Sequence, residues 1–268
     1  MNDPQPLLSI RNMTVRFGGL TAINTLDLDI ARGHIVAVVG PNGAGKTTVL
    51  NCISGFVQPE SGTIVFNGTD LGALPRHRRA ALGIVRTFQN LQLFASMTVL
   101  DNLMAAQHTR LHASLLSALL PVGPAVREDR LARERARAIL SLMGLEQWAN
   151  VPAGSLPFGL QQMTSVARAL VLQPKLLLLD EPAAGTPHRD VETLANSVRR
   201  WRTELDITIV LIEHNMHLVQ AAADVVSVLD YGRKLAEGTP GDVLRNPTVL
   251  EAYLGTSTGE TETLHVES

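Results

Sequence analysis

The chain has 268 residues, 45% of them hydrophobic, and a formal net charge of −2. That apolar content suffices for a large core, in one domain or one domain with a subdomain, and the near-neutral balance excludes a global basic field directed at nucleic acid. The single cysteine, Cys52, excludes an internal disulfide and a cysteine-based metal site, which fits a reducing compartment. The N-terminal Met-Asn-Asp-Pro-Gln-Pro lacks the basic-then-apolar pattern of a signal peptide, and no run approaches the roughly 18 apolar residues of a membrane span. Association with a membrane is therefore expected to go through a partner.

Residues 7–16 read as a strand, Phe17-Gly18-Gly19 turns the chain, and residues 20–30 carry Ala22, Ile23, Leu26, Leu28 and Ile30 in a second strand. Arg32-Gly33 is a turn into Ile35-Val36-Ala37-Val38-Val39, a short, largely β-branched run of the kind that forms a buried parallel strand. Directly after it stands Gly40-Pro41-Asn42-Gly43-Ala44-Gly45-Lys46-Thr47-Thr48, which fits the phosphate-binding pattern G-x-x-x-x-G-K-[ST]. The glycines let backbone N–H groups close on an anion, and the helix expected from Thr47 to about Ile53 turns its positive end to the same place. Lys46 would reach the terminal phosphates and the Thr47 hydroxyl would ligate Mg²⁺. A chance match to these four positions in a chain of this length is on the order of one in a hundred. Phe17 could stack on an adenine ring or be buried as a turn aromatic; the residues alone leave both open.

Residues 60–70 read as one strand between glycine turns, Arg76 to Ala81 as a short basic helix, and Ile84 to Gln89 as a strand ending in a glutamine. Residues 98–150 read as mainly helical, with Thr98 and Asp101 as cap residues. Within them, Leu115, Leu116, Leu119 and Leu120 form an apolar group suited either to a partner or to packing on the chain's own domain. Arg127 to Met143 is an amphipathic helix with Leu131, Ala138, Ile139 and Leu142 on one face. A helix over 160–172 precedes Leu176-Leu177-Leu178-Leu179-Asp180-Glu181, a buried strand that ends in two carboxylates. A helix from Asp190 to Trp201, a strand Ile207 to Ile212 ending in Glu213-His214, a further helix, and a hairpin around Tyr231-Gly232-Arg233 follow. The tail 256–268 is polar and expected to be disordered.

The chemistry-bearing residues fall at strand ends, where open α/β sheets hold their ligands. Asp180 would hold Mg²⁺, directly or through water. Glu181 would polarise the attacking water as general base. His214 would contact the γ-phosphate and orient that base, and Gln89 would sense metal and phosphate.

These residues together resemble the ATP-binding subunit of an ABC transporter, over about residues 7–255. Gly40 to Thr48 is the Walker A wording of that family, Gln89 its Q-loop glutamine, Asp180 and Glu181 the close of Walker B, and His214 its switch histidine. Phe17-Gly18-Gly19-Leu20, Arg86-Thr87-Phe88-Gln89, Asp180 to Gly185, Ile212-Glu213-His214 and Ala252-Tyr253-Leu254-Gly255 resemble the branched-chain amino acid subfamily. The resemblance implies an α/β P-loop NTPase of the ABC ATPase type, with a mixed-sheet core, an antiparallel β-subdomain and a helical subdomain at about 90–172. It implies ATP and Mg²⁺ as cofactors, catalytic roles for Glu181, His214 and Gln89, and metal roles for Thr47, Gln89 and Asp180. The implied partners are a second ABC ATPase subunit and membrane permease subunits docking beside Gln89 and the 92–104 segment. A periplasmic or extracellular solute-binding protein would act indirectly, and no nucleic acid is implied. The implied location is the cytoplasmic face of the inner (plasma) membrane, as a peripheral subunit.

Two stretches depart from the family. Its signature, Leu-Ser-Gly-Gly-Gln, binds the γ-phosphate held by the partner subunit; here the equivalent is Leu156-Pro157-Phe158-Gly159-Leu160 followed by Gln161. Pro157 supplies neither a hydroxyl nor an N–H, and Leu160 lacks a side-chain amide. After Gly185, where the D-loop usually carries an asparagine or aspartate, this chain has Thr186-Pro187-His188. The expectation is an asymmetric heterodimer in which this chain's Walker motifs form the hydrolysing site with the partner's signature. An ATP-binding subunit of low intrinsic hydrolysis and an ABC ATPase without a transporter remain the alternative readings.

Overall fold

In the computed structural model of the chain, residues 5–87, 93–107 and 124–254 are described. Strands β1 (Leu8–Phe17) and β2 (Leu20–Ile30) pair as an antiparallel hairpin, as the sequence predicts. β3 (Ile35–Val39) leads through the phosphate-binding loop into helix α1 (Lys46–Ser54). The expected single strand over 60–70 is instead two, β4 (Ser61–Phe66) and β5 (Thr69–Asp70). The break falls at Asn67 and Gly68, both at positive φ (48° and 78°), so the chain reverses and β5 pairs back on β4. These four strands form one sheet in the order β2-β1-β4-β5.

Helix α2 (Arg76–Ala81) precedes β6 (Ile84–Arg86). The expected strand through Gln89 is described only to Thr87, whose N–H donates to Leu178 O at 3.0 Å; Gln89 lies outside the described residues. The helical segment opens with α3 (Val99–Gln107), where Thr98 and Asp101 form the predicted cap: Thr98 Oγ1 accepts from Asp101 N at 3.0 Å and donates to the Asp101 carboxylate at 2.7 Å. α4 (Pro124–Leu142) follows, then α5 (Phe158–Leu170), which begins two residues before the predicted 160. Between α4 and α5 the chain holds single 3₁₀ turns, one at Glu146–Trp148. The apolar group Leu115, Leu116, Leu119 and Leu120 and the tail 256–268 lie outside the described residues.

The rest of the chain supplies β7 (Leu176–Asp180), α6 (Val191–Leu205), β8 (Thr208–Ile212), α7 (Met216–Ala222), β9 (Val225–Asp230), β10 (Arg233–Gly238), α8 (Pro240–Leu244) and α9 (Pro247–Leu254). The second sheet has six strands in the order β10-β9-β3-β8-β7-β6; all its pairings are parallel except β10 with β9. β3 lies between β9 and β8, and all five of its residues are buried. Its side chains alternate between two cores. Ile35, Ala37 and Val39 join Leu177, Leu179, Ile209 and Leu211 under the helices, while Val36 and Val38 join Leu178, Val210 and Ile212 against α1 and the first sheet. A strand covered on both faces must be apolar at every position, which is why the run shows no polar alternation. Each valine, leucine or isoleucine among them contributes about 1.5–3 kcal/mol when fully buried.

The buried face of α4 differs from the predicted one. Ala132, Ala136, Ile139, Leu140 and Leu142 are buried, whereas Leu131 and Ala138 are exposed. The small residues Ala132 and Ala136 let α3 approach closely enough for Gln107 Nε2 to donate to Ala132 O at 2.9 Å, and that contact fixes the rotation of the helix.

Candidate functional site

The parallel register brings the functional loops to one edge. Val38 lies opposite Ile212, and Ile212 opposite Asp180, so the segments after β3, β7 and β8 leave the sheet side by side. The phosphate-binding loop needs glycine at Gly40 and Gly45 for different reasons of space. At Gly40 (φ 148°) a Cβ would run into Leu229 O; at Gly45 (φ 99°) it would sit 2.6 Å from Ala22 O. The turn between β9 and β10 backs this loop: Gly232 N donates to Ala44 O at 3.0 Å, and Gly232 O accepts from Asn24 N at 2.9 Å. No side chain caps the start of α1 and no acidic residue lies in its first turn, so its leading amides face the loop's concavity.

Lys46 is buried and lies across that concavity, donating to Gly40 O at 2.6 Å and Pro41 O at 2.9 Å. Burial pulls its ammonium below the ordinary lysine value, and the nearby Glu181 carboxylate opposes this. Asn42, Gly43 and Thr47 are exposed at the mouth, and Pro41 and Thr48 are half-buried. Phe17, at the tip of the β1–β2 hairpin, is 49% exposed. Of the two readings of this ring, burial in a turn is therefore overturned, and a ring free to meet a base remains.

Asp180 closes β7 in a buried ion pair that sequence reasoning missed. Arg86 Nη2 meets Asp180 Oδ2 at 2.7 Å, and Arg86 Nη1 donates to Asn51 Oδ1 of α1 at 2.7 Å. Thus the strand leading to Gln89, the helix after the phosphate loop and the first carboxylate of the pair are tied together by one guanidinium. Glu181 follows in the left-handed region (φ 49°), an uncommon conformation for a residue with a side chain, held by its N–H donating to Ile212 O at 3.0 Å. That turn aims the carboxylate at His214, with Glu181 Oε1 3.6 Å from His214 Nδ1.

A second carboxylate missed as a functional element lies directly under this pair. Glu213 is 1% exposed. Its Oε1 accepts from Ala183 N at 2.7 Å, and its Oε2 accepts from His214 N and Asn215 N at 3.2 Å each. Burial pushes its pKa above the ordinary glutamate value, and the three amides pull the other way.

The signature stretch forms the start of α5, with Pro157 at the N-cap position. Leu156 is buried and accepts from Gln161 Nε2 at 2.8 Å. Leu160 packs on the helical core rather than facing outward. Gly159 is open, and Phe158 is 55% exposed. The Phe158 ring lies beside Gly185, where a Cβ would come within 3.3 Å of it, so the signature stretch reaches the residue that precedes the second departure. Beside them, His188 and His217 stand edge to face, 6.2 Å between ring centres.

Among the described residues no group of three or more His, Cys, Asp or Glu side chains could hold a metal by itself. One hydroxyl (Thr47) and one carboxylate (Asp180) beside a phosphate cradle suit Mg²⁺ that arrives with a nucleotide and keeps phosphate and water ligands. A cleft of about 470 Å³ bordered by Arg135, Ile139, Lys175, Leu205 and Thr208 opens at the other end of the strands and takes no part in this site.

The ABC transporter family profile matches residues 23–184, and that of the branched-chain amino acid ATP-binding cassette transporters matches residues 233–258. The chain is 42% identical to the high-affinity branched-chain amino acid transport ATP-binding protein BraF of Pseudomonas aeruginosa, over 94% of this chain and 98% of BraF. It is 44% identical to LivG, the corresponding protein of Escherichia coli, over the same shares of the two chains. Among solved structures, the ADP conformation of an ATP-binding cassette of an ABC transporter is similar at TM-score 0.81 and 31% identity, covering 93% of this chain and 98% of that one.

Proposed function

The chain belongs to the ABC transporter family of ATP-binding proteins, and from that premise we propose that it is the ATP-hydrolysing subunit of an importer for branched-chain or related amino acids. The observation that carries the catalytic part is the convergence at one sheet edge of Lys46, Asp180, Glu181 and His214, with Glu181 and His214 3.6 Å apart. Residues Gly40 to Thr48 wrap the phosphates of ATP, and the Phe17 ring stacks on its base. Thr47 and Asp180 would hold Mg²⁺, with Gln89 as a further ligand, and the ion would neutralise charge on the phosphates. Glu181 takes the proton of the attacking water, and His214 keeps that carboxylate aimed. Removing the base in Glu181→Gln is expected to lower kcat by about 10²–10⁴-fold while ATP binding persists. Hydrolysis within threefold of the native rate would refute the assignment.

Among the described residues no helix is long and apolar enough to cross a membrane. In keeping with the importer relatives, the chain works as a peripheral subunit on the cytoplasmic face, beneath permease subunits, with solute delivered by an external binding protein. Phe94 and Met97, exposed on the segment before α3, supply apolar surface for the permease contact. The second ATPase subunit is a different chain. Pro157 brings no N–H to the start of α5, and Leu160 turns into the chain's own core, so this chain's signature serves its partner's nucleotide poorly. Pro157→Ser with Leu160→Gln is expected to raise ATP turnover of the assembled transporter; an unchanged rate would show that the backbone at Gly159 suffices. Full-rate hydrolysis by the chain alone as a homodimer would exclude the heterodimer. The reading of a subunit that barely hydrolyses rests on the same signature, and the Glu181→Gln comparison separates it.

A further inference from the structure

The β7–β8 ladder ends with Asp180 opposite Ile212. One backbone bond follows, Glu181 N to Ile212 O at 3.0 Å, and beyond it the two segments leave the sheet with His214 on one and the rest of the turn after Glu181 on the other. What spans the gap is a side chain: the Glu213 carboxylate accepts from Ala183 N at 2.7 Å on one segment and from His214 N and Asn215 N at 3.2 Å on the other. We propose that Glu213 is a positioning residue for ATP hydrolysis, a strut that locks the turn bearing Glu181 to the loop bearing His214 so that the two act as one body.

The residue type follows from the geometry. Three amides converge from two directions, and only a side chain with two acceptor oxygens on a long stem can meet them together. Burying a carboxylate is costly unless hydrogen bonds satisfy it, and each oxygen here is engaged. The lock also reaches further in both directions. Ala183 leads to Gly185 and the Phe158 ring, and Asn215 caps α7 by accepting from Leu218 N at 3.2 Å. A shift in the segment after Glu181 is thereby passed to His214 without passing through the nucleotide.

The inference rests on the proposed roles of Glu181 and His214, and the experiment keeps the two separable. Two variants divide the strut. Glu213→Gln retains one acceptor oxygen and loses one arm. Glu213→Asp retains the charge and reaches the adjacent loop amides but falls short of Ala183. In the transporter assembled from its co-encoded subunits, each variant is expected to lower kcat at least tenfold with the KM for ATP within twofold of native. In the full chain labelled with ¹⁵N-histidine, Glu181→Ala is expected to move the His214 ring signals, and to move them less than half as far in either Glu213 background. A kcat within twofold of native in folded variants, or an undiminished His214 response, overturns the strut. Failure of both variants to fold also overturns it, because Glu213 would then be a core residue. If Glu181→Gln itself leaves hydrolysis unchanged, the proposed catalytic roles fail instead.

Discussion

Single residues divide by how far away their partners lie. Lys46, Glu181 and His214 were legible because each belongs to a local pattern, a loop spacing or the end of an apolar run, and the register then brings them together. Arg86 and Glu213 were not, because their partners lie 94 and 30 residues away and only the fold supplies the contact. Arg86→Leu is expected to cost about 3–5 kcal/mol in chemical denaturation, since Asp180 would be left buried without its cation. Cys52 is a residue whose sequence reading, a small apolar side chain, agrees with its environment. It is fully buried in α1, and burial pushes its thiol up to about 11. Its thiolate fraction at pH 8 is therefore negligible, and Ellman's reagent is expected to react only when denaturant is added; rapid labelling of the native chain would mean that α1 opens.

At the level of elements, periodicity gave the strands and helices more reliably than their ends or faces. α4 was misread because its inner face is set by the alanines that α3 rests on, and alanine carries little weight in a hydrophobic pattern. The short helix α2 was read merely as basic, yet Arg79 within it is 1% exposed and braces the far end of α1. Its guanidinium donates to Cys52 O at 2.5 Å, Ile53 O at 3.1 Å, Leu71 O at 2.7 Å and Leu74 O at 2.9 Å. The cation thus satisfies carbonyls at the negative end of the very helix whose positive end faces the phosphate loop. Arg79→Leu would take the donor from Ile53 O and Leu74 O, at about 1–3 kcal/mol each when buried, while Cys52 O keeps Gly55 N and Leu71 O keeps Leu74 N. A loss of roughly 3 kcal/mol is expected, together with weaker ATP binding. Unchanged nucleotide affinity in a folded variant would show that α1 holds its place without the brace.

For the molecule as a whole, the fold class was implied by the family resemblance that the phosphate loop and the strand-end residues carry, while the strand order was not legible. No local pattern tells β3 that its neighbours are β8 and β9. That order has a consequence for how the chain is made. The strand carrying the nucleotide loop emerges early from the ribosome, but both of its partners, Thr208–Ile212 and Val225–Asp230, come from the last quarter of the sequence. Contacts of such separation close late and slow folding. A chain ending at residue 205 is therefore expected to show no saturable ATP binding, measured with a fluorescent analogue, whereas one ending at 254 should bind as the native chain does. During synthesis the apolar β3 run has to wait, unpaired on both sides, for nearly the whole polypeptide to appear. The nascent protein thus passes through a long interval in which an apolar strand stands without its partners, and ATP can stabilise only a chain that is already almost finished.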